Sequence, residues 1–468
     1  MNKITKEALS KFDSLVNSVM EAGSAAGLAA AVVDKNGRIA FERYYGFRDA
    51  ENMLPIDKDT IFGLASISKS FTALAVMQLE EQGKLKLYDP ISLYIPEFTN
   101  KNQGDPVLIW HLLCHSGGFY PQKRILMTDV ANSLGLTQEK DGDFSYNSEI
   151  EAKGTELVAK RLDELTDLIA PPGKCMSYCN DGFGLLSHIV MSVSGEPSFA
   201  DYVEKHILKP LGMTRSYCDF VAPQKDPNSE VIYKLDNRKR VITDNLDNAF
   251  VLNGGGAMKS TLSDMAKYVA MYINEGLGTS GRSTANVASI REMVKPRQAD
   301  GFNTYYGFGL MINPMGNYTV IRHGGSLPGV SSHMAWSYEA EAGVVILCNT
   351  SGVSVAALAD SLLRLWLGKD PSISLPEYAE CVWDADYLSQ ICGEYRAEEG
   401  AHFSIEAGDD GKPQVTADGS TYPLIVLSRR YAVLRQKFAD VSFEVLRDET
   451  RGVYAMRQGS RIVPKAAK

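Results

Sequence analysis

The sequence predicts an α+β fold: an antiparallel sheet flanked by helices, with a helical lobe, followed by a small all-β, barrel-like domain. Three observations carry this expectation. β-rich runs stand near residues 27 to 47 and return only after Tyr305, with helical segments dominating between them, so one sheet must be closed by distant parts of the chain. A Pro- and Ser-containing stretch, Gly368–Glu380, reads as a linker. Beyond it, eight short runs such as "HFSIEA", "RYAVLR" and "VSFEVLR" alternate with turn residues, the texture of a meander or barrel. The boundaries expected are 1–367 for the larger domain, 368–380 for the linker and 381–468 for the smaller one.

Taken in order, Leu9, Phe12, Leu15, Val16, Val19 and Met20 recur at helical spacing and predict an amphipathic first helix. In "GLAAAVVDKNGRIAFERYYGF" two strand-like runs flank Asn36-Gly37, a strong hairpin signal. "FGLASISKSFTALAVMQLEEQGKL" predicts a helix that opens near Ser66 and stops at Gly83. A polar, charged stretch between Gln122 and Ala170 reads equally as an excursion over a site or an idle surface segment. "YYGFGLMI", "YTVIRHGG", "SSHMAWSYE" and "GVVILCNT" then predict sequential antiparallel strands, and "VAALADSLLRLWLG" a helix packed on them. No internal repeat points to a solenoid or propeller.

The 468 residues are 44% hydrophobic and 22% charged, enough for a large core, and the formal charge of −9 argues against nucleic acid or an anionic membrane as partner. No run approaches the roughly 18 apolar residues of a membrane span. The N-terminal stretch lacks the apolar core of a secretory signal, so a cytoplasmic location is expected. Seven scattered cysteines, without C-x-x-C or zinc spacing, are expected to be reduced and mostly buried. No cofactor and no metal are expected, and oligomeric state is left open.

The chemical signal begins with Ser66 and Lys69. An S-x-x-K spacing sets both side chains on one face of a helical turn, where the amine can take the hydroxyl proton. The helix N-terminus favours a developing anion and depresses a nearby lysine pKa. An N-cap serine beside an exposed lysine has the same spelling, so the pair alone decides little. Ser68, between them, reads as an incidental first-turn residue. Two further stretches add weight. Tyr178-Cys179-Asn180 offers a phenol that can share a proton with an ammonium, and an amide that can hold a substrate carbonyl. His323-Gly324-Gly325 ends a strand-like run with paired glycines, where backbone can approach a ligand closely and an N–H can serve an oxyanion.

In order and rough spacing these three motifs resemble those of the serine β-lactamase-like and penicillin-binding-protein-like family, nearest its branch of class C β-lactamases, D-amino-acid peptidases and esterases. "LIWHLLCHSGGFYPQ", "PPGKCMSYCNDGFGLLSHIV", "LNGGGAMKSTLSDMAKYVAMYINEG" and "RHGGSLPGVSSHMAW" resemble family stretches too, so the similarity spans about residues 8 to 365. The resemblance implies the β-lactamase/DD-peptidase-like fold and a site between sheet and helical lobe. It implies Ser66 as acylated nucleophile, Lys69 as its proton partner and Tyr178 as proton relay. Asn180 would orient substrate, the N–H groups of Ser66 and Ser326 would form an oxyanion hole, and Gln122 aligns with a substrate-binding glutamine.

One departure bears on substrate. The third motif of β-lactamases usually opens with lysine, whereas here His323 stands, largely neutral at pH 7. Arg322 beside it should point to the opposite face of the strand. The expectation is therefore a serine hydrolase of small esters or D-amino-acid amides and peptides. A class C-like β-lactamase, an acyltransferase and a non-catalytic penicillin-binding-like sensor or scaffold are the alternatives. "GLGTSG" matches the dinucleotide fingerprint but follows a helix, and reads as a helix C-cap and loop. "HGGS" lacks an accompanying G-x-S-x-G elbow. His111, His115, His188 and His333 are expected to be structural, and Asp264 a first-turn helix acid.

Overall fold

A computed structural model describes residues 4–136, 148–218, 222–236, 239–243, 252–373 and 375–466. The middle of the polar stretch predicted between Gln122 and Ala170, residues 137–147, lies outside the described residues. The first helix, α1 (Lys6–Ala22), is capped by Thr5, whose hydroxyl accepts from Ala8 N at 3.1 Å, and it buries Phe12, Val16 and Val19. The Asn36-Gly37 hairpin joins β1 (Gly27–Asp34) to β2 (Ile39–Asp49). There Asp34 accepts from the N–H groups of Asn36 and Arg38, and Gly37 takes the positive φ that the tight turn needs.

The expected closure by distant segments is present. After α2 (Ser68–Glu81), α3 (Asn180–Ser194) and α4 (Leu262–Ile273) come β3 (Tyr318–Leu327), β4 (Val330–Ser337), β5 (Ala342–Cys348) and α5 (Val355–Trp366). β5 pairs antiparallel with β1, from Leu28 opposite Cys348 to Asp34 opposite Ala342. The nine-stranded sheet runs Leu54–Pro55, β2, β1, β5, β4, β3, Met311–Met315, Tyr305–Tyr306, Gln298–Ala299. Its central strands are covered on both sides, and alternation along them sorts the core. Ala29, Ala31, Val33, Val345 and Leu347 face α2, α4 and the helical lobe. Leu28, Ala30, Val32, Val344 and Ile346 face α1 and α5. Arg322 points to this second face, as its neighbourhood to His323 implies, and pairs with Asp360 of α5 at 3.0 Å.

After residue 380, helix Ala385–Ile391 leads into a four-stranded and then a five-stranded antiparallel sheet. Trp383, Tyr387, Phe403, Phe443, Met456 and Val463 form their own core. Tyr395 bridges to Lys465, bringing the first strand of this unit against its last, so the meander curls back on itself. The strands Gly452–Gln458 and Arg461–Pro464 form a hairpin whose tip lies against the larger domain. Ile462 and Ala455 share an apolar cluster with Tyr120 and Ile169 there. No disulfide joins any of the seven cysteines. Among the described residues, no helix is long and apolar enough to cross a membrane.

Candidate active site

Ser66 sits in a single 3₁₀ turn, Ala65–Ile67, that runs directly into α2, so the helix opens two residues after Ser66. Ala65 has φ +46, a left-handed conformation that is costly for a residue with a side chain. The turn is held in place by its surroundings. Leu64 N donates to Met258 O at 2.9 Å, and Ser332 Oγ donates to Leu64 O at 2.7 Å. Ser68 is not incidental: it is buried, its hydroxyl donates to Ala65 O at 2.6 Å and accepts from Met258 N at 3.0 Å. Ser66 is the one partly exposed residue between Ile61 and Ser70.

Lys69 Nζ lies 3.2 Å from Ser66 Oγ and donates to Gly255 O at 2.8 Å. The amine is fully buried beside the rings of Tyr178 (4.9 Å) and Phe183 (5.5 Å). Burial, reinforced by the positive charge of Arg461 and partly offset by Glu399, brings its pKa down to about 7. Glycines at 254 and 255 make this approach feasible. A Cβ at Gly255 would stand 3.3 Å from Lys69 Nζ and 3.9 Å from Asn180 Oδ1, and one at Gly254 only 2.4 Å from Phe183 O.

Burial pushes the Tyr178 phenol well above the usual range, against the smaller opposing influence of the nearby Ser66 hydroxyl, so it is neutral with a proton to give. Asn180 opens α3. On the opposite wall, β3 loses its Met311–Met315 neighbour after Arg322, so its edge from His323 to Leu327 faces the Ser66 turn. Gly325 presses on that turn: a Cβ would lie 2.1 Å from Leu64 O, which is why glycine stands here. Ser326 lies on the exposed end of the edge.

Two expected substrate groups sit differently from a simple reading of the motifs. His323 is 1% exposed, and its ring turns behind Tyr178 to bond Tyr306 Oη at 2.9 Å and Gly324 O at 2.6 Å. Burial and the nearby Lys69 charge bring its pKa down to about 3, so the imidazole is neutral. Gln122 is buried with its amide donating to Tyr120 O at 2.8 Å.

The smaller domain supplies residues that no motif announced. Arg461 stacks its guanidinium over the Tyr178 ring at 4.9 Å and donates to Glu399 Oε2 at 2.8 Å. Glu399 Oε1 in turn accepts from Asn180 Nδ2 at 2.8 Å. The hairpin tip is fastened by main chain as well: Tyr178 N donates to Ser460 O at 2.8 Å, and Ile462 N to Ser177 Oγ at 3.2 Å. Arg457 donates to Met176 O at 2.6 Å while paired with Glu444.

Known proteins resemble this chain in sequence and in fold. A family model described as Beta-lactamase matches residues 12–365. The chain is 27% identical to the putative penicillin-binding protein PbpX of Bacillus subtilis (strain 168) over 322 residues, 68% of this chain and 70% of that protein. The octameric penicillin-binding protein homologue from Pyrococcus abyssi superposes with TM-score 0.67 at 27% identity, covering 98% of this chain and 100% of that one. A structure of SurE with D-Leu superposes with TM-score 0.66 at 17% identity, covering 99% and 100%. That last likeness is one of fold.

Proposed function

Since the chain belongs to the Beta-lactamase family, we propose that it is a serine acyl hydrolase that forms an acyl-enzyme on Ser66 and acts on small esters or on D-amino-acid amides and short peptides. The observation that carries the reading is the Lys69–Ser66 pair at 3.2 Å, with the amine fully buried and its pKa brought down to about 7 by that burial. Neutral Lys69 takes the Ser66 proton as Oγ attacks the acyl carbon. The N–H groups of Ser66 and Ser326 receive the developing oxyanion. The proton passes from Lys69 through Tyr178 to the departing alkoxide or amine, and Ser66 is left as an ester. A water enters on the same face, gives its proton to the Tyr178–Lys69 pair, and hydrolysis returns Ser66.

A β-lactamase reading needs a cation for the antibiotic carboxylate. His323 is buried and neutral, and the guanidinium of Arg461 already pairs with Glu399, which weighs against it. The test is turnover by wild type and Ser66→Ala of a short-chain p-nitrophenyl ester, D- and L-amino-acid anilides and a chromogenic cephalosporin. D-configured anilides stand on the plate also because a protein of this fold has been solved with D-Leu. Ser66-dependent turnover of ester or D-anilide without the cephalosporin supports the reading. Fast cephalosporin turnover replaces it with the β-lactamase.

A further inference from the structure

Behind Tyr178 lies a buried chain of groups that the acylation steps above do not use. Nδ1 of His115 lies 3.1 Å from both the N–H and the carbonyl of Cys179, so the order is set from the far end. His323 Nδ1 faces Gly324 O at 2.6 Å, a carbonyl that can only accept, and among neutral groups this places the His115 proton on Nε2, with Nδ1 accepting from Cys179 N–H. Nε2 faces Tyr306 Oη at 3.2 Å. The Tyr306 hydroxyl, receiving there, gives its own proton to His323 Nε2 at 2.9 Å. His323 carries its proton on Nδ1, which donates to Gly324 O. Each assignment forces the next, and every member is neutral. All three side chains are 3% exposed or less.

The two ends of the chain are informative. One is the N-cap of α3, between Tyr178 and Asn180; the other is the peptide preceding Gly325, which presses on the Ser66 turn. The rings pack against the back of Tyr178, with His115 at 4.2 Å and Tyr306 edge-on at 6.4 Å. His115 itself is held at φ +56, and its carbonyl receives Ser177 N at 2.9 Å, so its backbone too clamps the Tyr178 segment. A polar cluster that served only to satisfy buried groups would not need to join these two walls of the cleft.

We propose that His115 and Tyr306 are positioning residues for acylation of Ser66: with His323 they form one directed hydrogen-bond chain that sets the Tyr178–Asn180 segment against the Gly324–Ser326 strand edge. The inference rests on the acyl-enzyme reading above. The reacting atoms tolerate little displacement, and a shift of about 1 Å costs about 10²-fold in rate.

The test is the pre-steady-state burst with a p-nitrophenyl ester, whose amplitude counts folded, active sites and whose rate constant reports acylation. Tyr306→Phe removes only the linking oxygen. His115→Asn can still accept from Cys179 N but is too short to reach Tyr306, whereas His115→Gln can offer an acceptor and a donor near the two ring-nitrogen positions. The expected result is an acylation rate at saturating ester at least ten-fold lower in Tyr306→Phe and in His115→Asn, with ester affinity within two-fold of wild type. His115→Gln should retain at least a third of the wild-type rate. If Tyr306→Phe does not fold, the Asn and Gln variants at 115 decide alone. Bursts of reduced amplitude but wild-type rate constant, or equal losses in the Asn and Gln variants, would overturn the proposal. A burst that survives Ser66→Ala would instead overturn the reading beneath it.

Discussion

Asn180 of the larger domain donates its amide to the carboxylate of Glu399, 219 residues away in the smaller domain, at 2.8 Å. The same carboxylate holds Arg461 over the Tyr178 ring. In this arrangement Glu399 takes one of the two amide hydrogens of Asn180 and leaves the other for a substrate carbonyl, so the smaller domain contributes to the candidate site electrically and sterically.

The electrical part has a defined sign. Glu399 raises the Lys69 pKa and Arg461 lowers it. Glu399→Gln should therefore lower the Lys69 pKa and move the acid limb of the kcat/KM profile to lower pH. Arg461→Gln should raise it and move that limb to higher pH. Profiles taken on one ester check both shifts; limbs that stay at the wild-type pH in the two variants would detach this domain from the chemistry.

In the wild-type enzyme, kcat/KM should climb as pH passes through about 7, because only neutral Lys69 accepts the Ser66 proton. Ser66→Ala should abolish turnover with the fold intact, and more than a tenth of the activity remaining would sink the assignment. Lys69→Ala should slow acylation by about 10² to 10⁴, the usual contribution of a general base. Stopped-flow acylation at several pH values measures all three effects.

Stability offers a check that needs no substrate. Lys69 has a folded pKa of about 7 against an ordinary value of 10.5, so above pH 7 the unfolded chain binds the extra proton and folding becomes easier as pH rises. The burden of burying the amine is thus full below pH 7 and fades toward pH 10.5. Lys69→Met should melt above wild type at pH 6, with a margin that narrows by pH 9. A margin independent of pH would mean that Lys69 is not buried as a titrating amine.

Ser68→Ala should cost about 1–3 kcal/mol, because it removes a buried hydroxyl that bonds Ala65 O and strands the Met258 N–H. Urea unfolding measures the loss. Catalysis should weaken too, since the φ +46 turn at Ala65 is held through these bonds. A neutral substitution would return Ser68 to the incidental role its position in the sequence suggested.

What the sequence determined by itself is local or periodic. Ser66 and Lys69 share one turn because a spacing of three on a helix leaves little else open, and the 3.2 Å separation follows from it. The Asn36-Gly37 hairpin, α1 and the two-faced strands were likewise legible, since turn chemistry and the periods 2 and 3.6 act over a few residues. The tertiary structure decided the rest. His115 read as structural and His323 as a substrate group, yet a single hydroxyl from Tyr306 joins them behind the site. Glu399 and Arg461 carry no motif. Arg461 reaches Tyr178 because a hairpin of the smaller domain seats its tip on Ser177 and Tyr178, and Glu399 meets Asn180 from another turn of that domain, between Arg396 and His402. Contacts of that kind depend on how two independently packed surfaces meet, and no spacing along the chain encodes where a carboxylate will land across such a junction.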